Sequence, residues 1–236
     1  MTASNLHYFP LAWPYLLLLA ALTVIVAAAV AVRLLTFASA TLGIGPRAMA
    51  AVLLLSLLGS YVNIPIAQLP ERHVWAGTVV SYFGIDYVVP VLREWPGTVI
   101  AINVGGAVVP VVLSLYLMAR NGLYGLSAAS VAIVALVCHL LARPVPGLGI
   151  ALPIFVPPLV TAVTALVLSR RHAAPLAYIG GSIGTLLGAD VLNLDKVQGL
   201  GAPVVSIGGA GTFDGIFVTS LLAVLYAGIA TRRVLR

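Results

Sequence analysis

Residues 14–32 read PYLLLLAALTVIVAAAVAV, an uncharged and almost wholly apolar run. A run of this length is sufficient to cross the hydrocarbon core of a bilayer as an α-helix. Similar runs recur along the whole chain of 236 residues, which is 61% hydrophobic and only 8% charged. Because soluble domains carry about 25% charged residues, the composition excludes a soluble core and predicts an all-α polytopic membrane protein.

The apolar runs predict seven transmembrane helices, which form a single transmembrane domain over residues 1–236. The predicted spans cover residues 12–35, 48–68, 97–119, 126–142, 147–169, 173–192 and 205–231. The connections between them are short, with the exception of residues 69–96, which form an insertion between the second and third spans.

The distribution of basic residues predicts the orientation of these spans. Cytoplasmic loops are enriched in Lys and Arg, and one side of the predicted bundle holds eight arginines whereas the other holds four basic residues. We therefore expect the N-terminus outside and the C-terminus inside, in a cell membrane. The larger set is Arg33, Arg47, Arg120, Arg170, Arg171, Arg232, Arg233 and Arg236, and the smaller set is Arg72, Arg93, Arg143 and Lys196.

The formal net charge of +6 indicates the class of partner. Since the charges lie in loops and at the termini, the predicted partners are anionic membrane lipids and not nucleic acid. Nothing in the sequence assigns an oligomeric state.

The long connection at residues 69–96 has the composition of strands. Residues 74–92 are rich in β-branched and aromatic side chains, and Gly84-Ile85-Asp86 is a candidate turn. This pattern predicts a β-hairpin on the extracytoplasmic surface, with Pro90 restricting its second half to an edge strand. The hairpin is either a cover for a site or a structural cap.

Two aspartates stand alone in glycine-rich, uncharged sequence. Asp190 ends the segment GTLLGAD (184–190), and Asp214 lies within GGAGTFDGIF (208–217). A carboxylate at the centre of a bilayer costs roughly 2.5–3.5 kcal/mol even on insertion scales, so a functional site is the default interpretation. The alternative is structural: Asp190 bonds locally, for example with Asn193, and Asp214 interacts with a helix N-terminus.

The predicted sixth and seventh spans are antiparallel neighbours because their connection is short. Gly180, Gly184 and Gly188 line one face of the sixth span, and we expect this face to allow close approach of the seventh. Both aspartates then reach the same level in the outer part of the membrane. Two facing carboxylates share a proton and can act as general acid and base. The residues expected to shape this site include Gly188, Gly209, Gly211 and Gly215.

The segment from Gly209 to Ser220, GAGTFDGIFVTS, resembles the glycine–aspartate motif of intramembrane aspartyl proteases, which include presenilin, signal peptide peptidase and prepilin peptidases. The resemblance implies a catalytic Asp190/Asp214 pair and a transmembrane or signal-type peptide substrate. Thr212 and Phe213 separate the second glycine of the motif from Asp214, which is a departure from the family pattern. The whole chain also resembles a prokaryotic multi-pass membrane family of unknown function, through its Asn103-Val-Gly-Gly and Gly-Thr-Phe-Asp-Gly-Ile-Phe segments.

Two other functions fit the same residues. Together with the aspartates, Asn63, Asn103 and Asn193 could form an oxygen-rich site in a cation- or proton-coupled transporter or channel. A non-catalytic membrane scaffold is the third hypothesis. No pair of histidines has the spacing of a helical metal site, and no phosphate-binding loop is present, so we predict no metal and no cofactor.

Overall fold

A computed structural model describes residues 13–70, 72–82, 85–95, 97–145, 149–197, 203–209 and 215–234. The α-helices of this part of the chain are α1 (Trp13–Leu42), α2 (Pro46–Gly59), α3 (Val109–Asn121), α4 (Tyr124–Leu141), α5 (Val156–Leu168), α6 (Ala173–Ile179) and α7 (Gly215–Val234). Its strands are β1 (Asn63–Gln68), β2 (Arg72–Tyr82), β3 (Ile85–Trp95), β4 (Val99–Asn103), β5 (Arg143–Val145), β6 (Gly149–Ala151) and β7 (Val204–Ile207).

Two of these helices are extended by tighter or wider helical turns. A π-helical segment, Val104–Val108, precedes α3. Helix α6 continues through two π-helical segments, Gly180–Gly184 and Leu186–Asp190, and ends in the 3₁₀ turns of Val191–Lys196. We refer to Ala173–Lys196 as the long helix.

The described part of the chain is mostly helical, and four of its helices are long and apolar enough to cross a membrane. These are Trp13–Leu42, Val104–Asn121, Tyr124–Leu141 and Ala173–Lys196. Shorter apolar helices occupy Pro46–Gly59, Val156–Leu168 and Thr219–Thr231. This architecture is compatible with the predicted class of helical membrane protein.

A three-stranded sheet occupies parts of three predicted spans. Strand β4 is central, antiparallel to β1 and parallel to β7. The spans predicted at 48–68, 97–119 and 205–231 therefore each combine a strand with a helix. Apolar runs of four to eight residues do not distinguish a buried strand from a helix by periodicity. Within β1, Pro65 has no N–H for a helical hydrogen bond, which favours the extended conformation.

The predicted hairpin is confirmed in its strand pairing. Strands β2 and β3 are antiparallel, with Thr78 opposite Val89 and Tyr82 opposite Ile85. Ile85 and Asp86 therefore belong to β3, whereas the sequence analysis assigned them to the turn. Gly84 lies outside the described residues. The expected role of the hairpin as a cover stays a prediction.

The glycine face of the long helix packs against α4. A Cβ placed on Gly184 would lie 2.8 Å from Cβ of Val134, and one on Gly188 would lie 2.8 Å from Cα of Ala135. The expectation that this face meets α7 was wrong. The contact with α7 is made by the next face of the helix, where a Cβ on Gly181 would lie 3.1 Å from Cα of Ser220.

Candidate functional site

Asp190 is the last residue of the second π-helical segment of the long helix. Its Oδ2 accepts a 2.7 Å hydrogen bond from the backbone N–H of Gly208, which directly follows strand β7. The bond joins the long helix to the glycine-rich segment at the start of the predicted seventh span.

The conformation of this segment depends on glycine. Gly208 and Gly209 have φ values of 93° and 81°, a region that residues with a Cβ rarely adopt. A Cβ on Gly208 would lie 2.7 Å from both Cβ and N of Ala107. The absence of a side chain therefore lets the Gly208 amide reach Asp190 while its backbone lies against the N-terminal end of the helix Val104–Asn121.

Asn63, Asn103 and Ser206 form a hydrogen-bonded cluster across the three-stranded sheet. Asn63 and Asn103 are paired residues of β1 and β4, and Asn103 Nδ2 donates to Asn63 Oδ1 at 3.0 Å. Ser206 Oγ donates to the same Asn63 oxygen at 2.5 Å. Asn103 Nδ2 also donates to the carbonyl oxygen of Ser60 at 2.8 Å. Asn63 and Asn103 are therefore in direct contact, and their proposed role in a cation site stays a prediction.

Asn103 also caps the helix that follows β4. Its Oδ1 accepts a 2.8 Å hydrogen bond from the backbone N–H of Gly106. The side chain is 1% exposed, so its three hydrogen bonds compensate the cost of burying an amide. Asn103 therefore fixes the junction at which an extended strand becomes a helix.

Among the described residues, no hydrogen bond joins Asn193 to Asp190, although the structural alternative gave Asn193 as an example of a local partner. Its Nδ2 donates to the carbonyl oxygens of Gly188 and Ala189, at 2.8 and 3.0 Å. Its Oδ1 accepts a 2.7 Å hydrogen bond from Lys196 Nζ. Asn193 thus closes the end of the long helix, where the π-helical turns leave carbonyl groups to satisfy.

An apolar cluster lies beneath the Asp190–Gly208 contact. Leu186 lies one turn before Asp190 in the long helix, and Ile216 lies in the first turn of α7. Both belong to a single buried cluster, with Ile100, Ala107 and Ile207. The cluster holds the long helix, the start of α7 and the strand ends together.

Asp214 and Gly211 lie outside the described residues, and Gly215 is the first residue of α7. Of the residues predicted for the site, the structure thus joins Asp190 to the segment that holds Gly209, and it joins Asn63 to Asn103. Gly188 packs on α4, and Asn193 bonds with Lys196.

A family model described as "Protein of unknown function (DUF1614)" matches residues 57–226 of the chain. The chain belongs to the DUF1614 family. No curated protein and no solved structure matches it.

The DUF1614 match includes every residue proposed for the site, from Asn63 to Gly215. It excludes α1 and most of α2. The polar cluster, the Asp190–Gly208 contact and the hairpin are therefore all parts of the region that defines the DUF1614 family.

Several polar partners in this region are not among the residues predicted for the site from the sequence. Ser206, the Gly208 amide and Lys196 each contact one of those predicted residues. Lys196 was recognisable because it follows Asn193 by one helical turn. The contribution of Ser206 carried no sequence signal, since it depends on the parallel pairing of β4 with β7 across a long separation along the chain.

Proposed function

We propose that this protein is an intramembrane aspartyl protease-like enzyme in which Asp190 and Asp214 form the catalytic pair. The observation that carries the proposal is the hydrogen bond from Gly208 to Asp190. It brings the carboxylate against the glycine segment that leads, six residues later in sequence, to Asp214.

The register of the two helices supports this pairing. Ser182 of the long helix and Ser220 of α7 are in contact, with 2.7 Å between their hydroxyl oxygens. From Ser182, the eight residues to Asp190 advance at most about 12 Å, since π-helical turns rise less per residue than the 1.5 Å of an α-helix. From Ser220, the five residues back to Gly215 advance about 7.5 Å, and Asp214 is one residue further. The antiparallel register therefore favours similar depths for both carboxylates.

The chemistry requires that the two carboxyl groups exchange a proton. One carboxylate removes a proton from water while the other, protonated, donates to the carbonyl oxygen or to the leaving nitrogen of the peptide. The Gly208 amide fixes the rotamer of Asp190 through Oδ2, and among the described residues that oxygen alone receives a hydrogen bond. Oδ1 of Asp190 is then the atom through which the proton moves.

The proposed topology has seven spans in a cell membrane, with the N-terminus outside. Arg120 donates to the carbonyl oxygen of Gly43 at 2.6 Å, which groups the α1–α2 and α3–α4 connections at one end of the bundle. Short helices complete their crossing with strands: α2 and β1 together reach about 40 Å, from 14 helical and six extended residues. Pairing with β4 satisfies one edge of β1, and the other edge needs cover by protein or water at membrane depth.

A proton-coupled transporter is the second candidate function. The junctions between strand and helix beside Asp190 are the observation that favours it, because discontinuous helices form the binding sites of many transporters. A cation site built on the asparagines is not favoured. The Oδ1 atoms of Asn63, Asn103 and Asn193 each already accept a hydrogen bond, and the donor to Asn193 is the cationic Lys196.

The deciding experiment is a cleavage assay with the purified full chain in lipid vesicles and a fluorogenic transmembrane peptide. Asp190→Asn and Asp214→Asn should each abolish cleavage, since Asn is nearly isosteric but cannot transfer the proton. Asp195→Asn is the matched control, because Asp195 is an exposed aspartate close in sequence, and it should retain cleavage.

Two outcomes contradict the protease. Cleavage that survives both substitutions removes the catalytic role of the pair. Absence of wild-type cleavage, together with proton uptake that depends on Asp190, assigns the site to the transporter instead.

A further inference from the structure

A cavity of about 570 Å³ lies at one end of the helix bundle, where α1, α5, the long helix and α7 meet. The residues that determine its chemistry are Thr41, Leu166, Arg170, Arg171, Ala230 and Thr231. Neither the proposed catalytic pair nor the asparagine cluster belongs to this lining, so the cavity is a separate feature of the fold.

The cavity presents two cations without a counter-ion. Arg170 and Arg171 are both exposed, and neither forms an ion pair with an acid among the described residues. The guanidinium groups together offer many N–H donors and no acceptor. A bound molecule must therefore supply negative charge and acceptor oxygens at this position.

The two hydroxyl groups in the lining carry no negative charge, and their protons are already used in hydrogen bonds to backbone carbonyl oxygens. Thr41 Oγ1 donates to the carbonyl oxygens of Phe37 and Ala38, both at 3.0 Å. Thr231 Oγ1 donates to those of Ala227 and Gly228, at 3.0 and 3.1 Å. Because both protons are used within their own helices, the arginines are the donors that remain for a ligand.

The rest of the cavity lining is largely apolar, and two of the helices that form it carry exposed apolar side chains. Leu166 and Ala230 lie in its wall. On the same two helices, Val163 and Val167 of α5 and Ile229 of α7 are exposed, Val167 to 79%. A ligand with an anionic head and an apolar tail matches this arrangement, in which two arginines, an apolar wall and exposed apolar side chains occur together. A free anion would leave the apolar wall unfilled.

We infer that this cavity binds one anionic phospholipid, with its phosphate between Arg170 and Arg171 and an acyl chain along the exposed surface of α5 and α7. Basic pockets between membrane helices on the cytoplasmic side bind such headgroups. The inference is independent of the catalytic pair, because the two sites share no residue.

The test measures lipid retention by the full chain. The protein is reconstituted in phosphatidylcholine vesicles that contain a minor fraction of phosphatidylglycerol, extracted in mild detergent, and analysed by native mass spectrometry. Arg170→Gln/Arg171→Gln should lower the affinity for phosphatidylglycerol by about 30-fold, since each basic side chain contributes about fivefold. Ala230→Phe, which fills the cavity and keeps both charges, should also reduce retention.

Arg33→Gln/Arg47→Gln is the matched control. It removes the same charge from exposed positions that do not line the cavity, and it should leave retention unchanged. Equal loss in both double variants would show general attraction to basic helix ends and overturn the specific site. Full retention of phosphatidylglycerol by Ala230→Phe would exclude the cavity as the lipid-binding site. Displacement of the lipid by soluble glycerol phosphate would overturn the role of the acyl chain and assign the site to a free phosphate.

Discussion

Ser182 donates a hydrogen bond to Ser220 across the interface between the long helix and α7. The two oxygens are 2.7 Å apart, and the Ser220 hydroxyl itself donates to the carbonyl oxygen of Ile216 at 2.7 Å. Because the Ser220 proton is directed at Ile216, we assign Ser182 as the donor between the two serines. Both side chains are buried, so this short chain of hydrogen bonds fixes the register of α7 against the long helix, which contains Asp190.

We expect Ser182→Ala to destabilise the protein. The substitution removes the donor to Ser220, and hydrogen bonds between membrane helices contribute about 0.6 kcal/mol on average and up to about 1.7 kcal/mol. The measurement is thermal unfolding in detergent. Thr23→Ala is the control, because the Thr23 hydroxyl is exposed and bonds only within its own helix, and its unfolding temperature should match that of the wild type. An unchanged midpoint for both variants would contradict the register role of Ser182.

Gly208→Ala should destabilise the fold and displace the amide that binds Asp190. A Cβ at this position meets Ala107 at 2.7 Å and also requires a φ of 93°. Backbone strain of this kind costs about 1–3 kcal/mol, and the steric conflict adds to it. Gly122→Ala is the matched control: φ is 62° but no atom lies within 4 Å of the added Cβ. A larger loss of stability for Gly208→Ala than for Gly122→Ala is expected in denaturant titrations. Equal losses of stability in the two variants would mean that close packing at Gly208 does not contribute to the free energy of unfolding.

Asn103→Asp should be strongly destabilising although it preserves the shape of the side chain. The carboxylate can still accept from Gly106, but it cannot donate to Ser60 or Asn63, and it places an unpaired buried charge beside their oxygen atoms. A cost of about 3 kcal/mol or more is expected for such a charge. Asn121→Asp is the control, since Asn121 makes a single bond to its own helix at the partly exposed end of α3. Comparable expression and melting of the two variants would refute this account of Asn103.

Gly188→Ala and Gly125→Ala should have opposite effects. An added Cβ at Gly188 meets Cα of Ala135 at 2.8 Å and forces the long helix away from α4, whereas no atom lies within 4 Å at Gly125. Gly→Ala in an uncrowded helix stabilises by roughly 0.5–1 kcal/mol. Thermal unfolding of the two variants gives the sign directly. If Gly188→Ala raised the unfolding temperature, the close packing of the glycine face on α4 would be contradicted.

The sequence was informative where apolar length decides the structure. The run at residues 14–32 corresponds to the N-terminal two thirds of α1, and the β-branched composition of residues 74–92 corresponds to β2 and β3. It was misleading where a short apolar segment adopts strand structure. Residues 63–68 and 99–103 are extended because they pair with each other, and a pairing between distant segments leaves no periodic signature.

Individual residues of the candidate site could be predicted from the sequence, but the contacts between them could not. Asp190, Asn63 and Asn103 were selected because isolated polar groups in apolar sequence need an explanation. The assignment of the glycine face to α7 failed because spacing identifies a face without identifying its neighbour. Gly180, Gly184 and Gly188 pack on α4, and Gly181 meets α7, although both faces are glycine-containing.

The parallel pairing of β4 with β7 has a consequence for biosynthesis. Val99 pairs with Val204, so the central strand leaves the ribosome about 5–20 s before its partner at typical rates of translation. During that interval β4 has β1 on one side and an unpaired edge on the other. The contact between Gly208 and Asp190 cannot form until β7 arrives. The order of synthesis thus keeps the Asp190 region incomplete until nearly all of the chain has been translated.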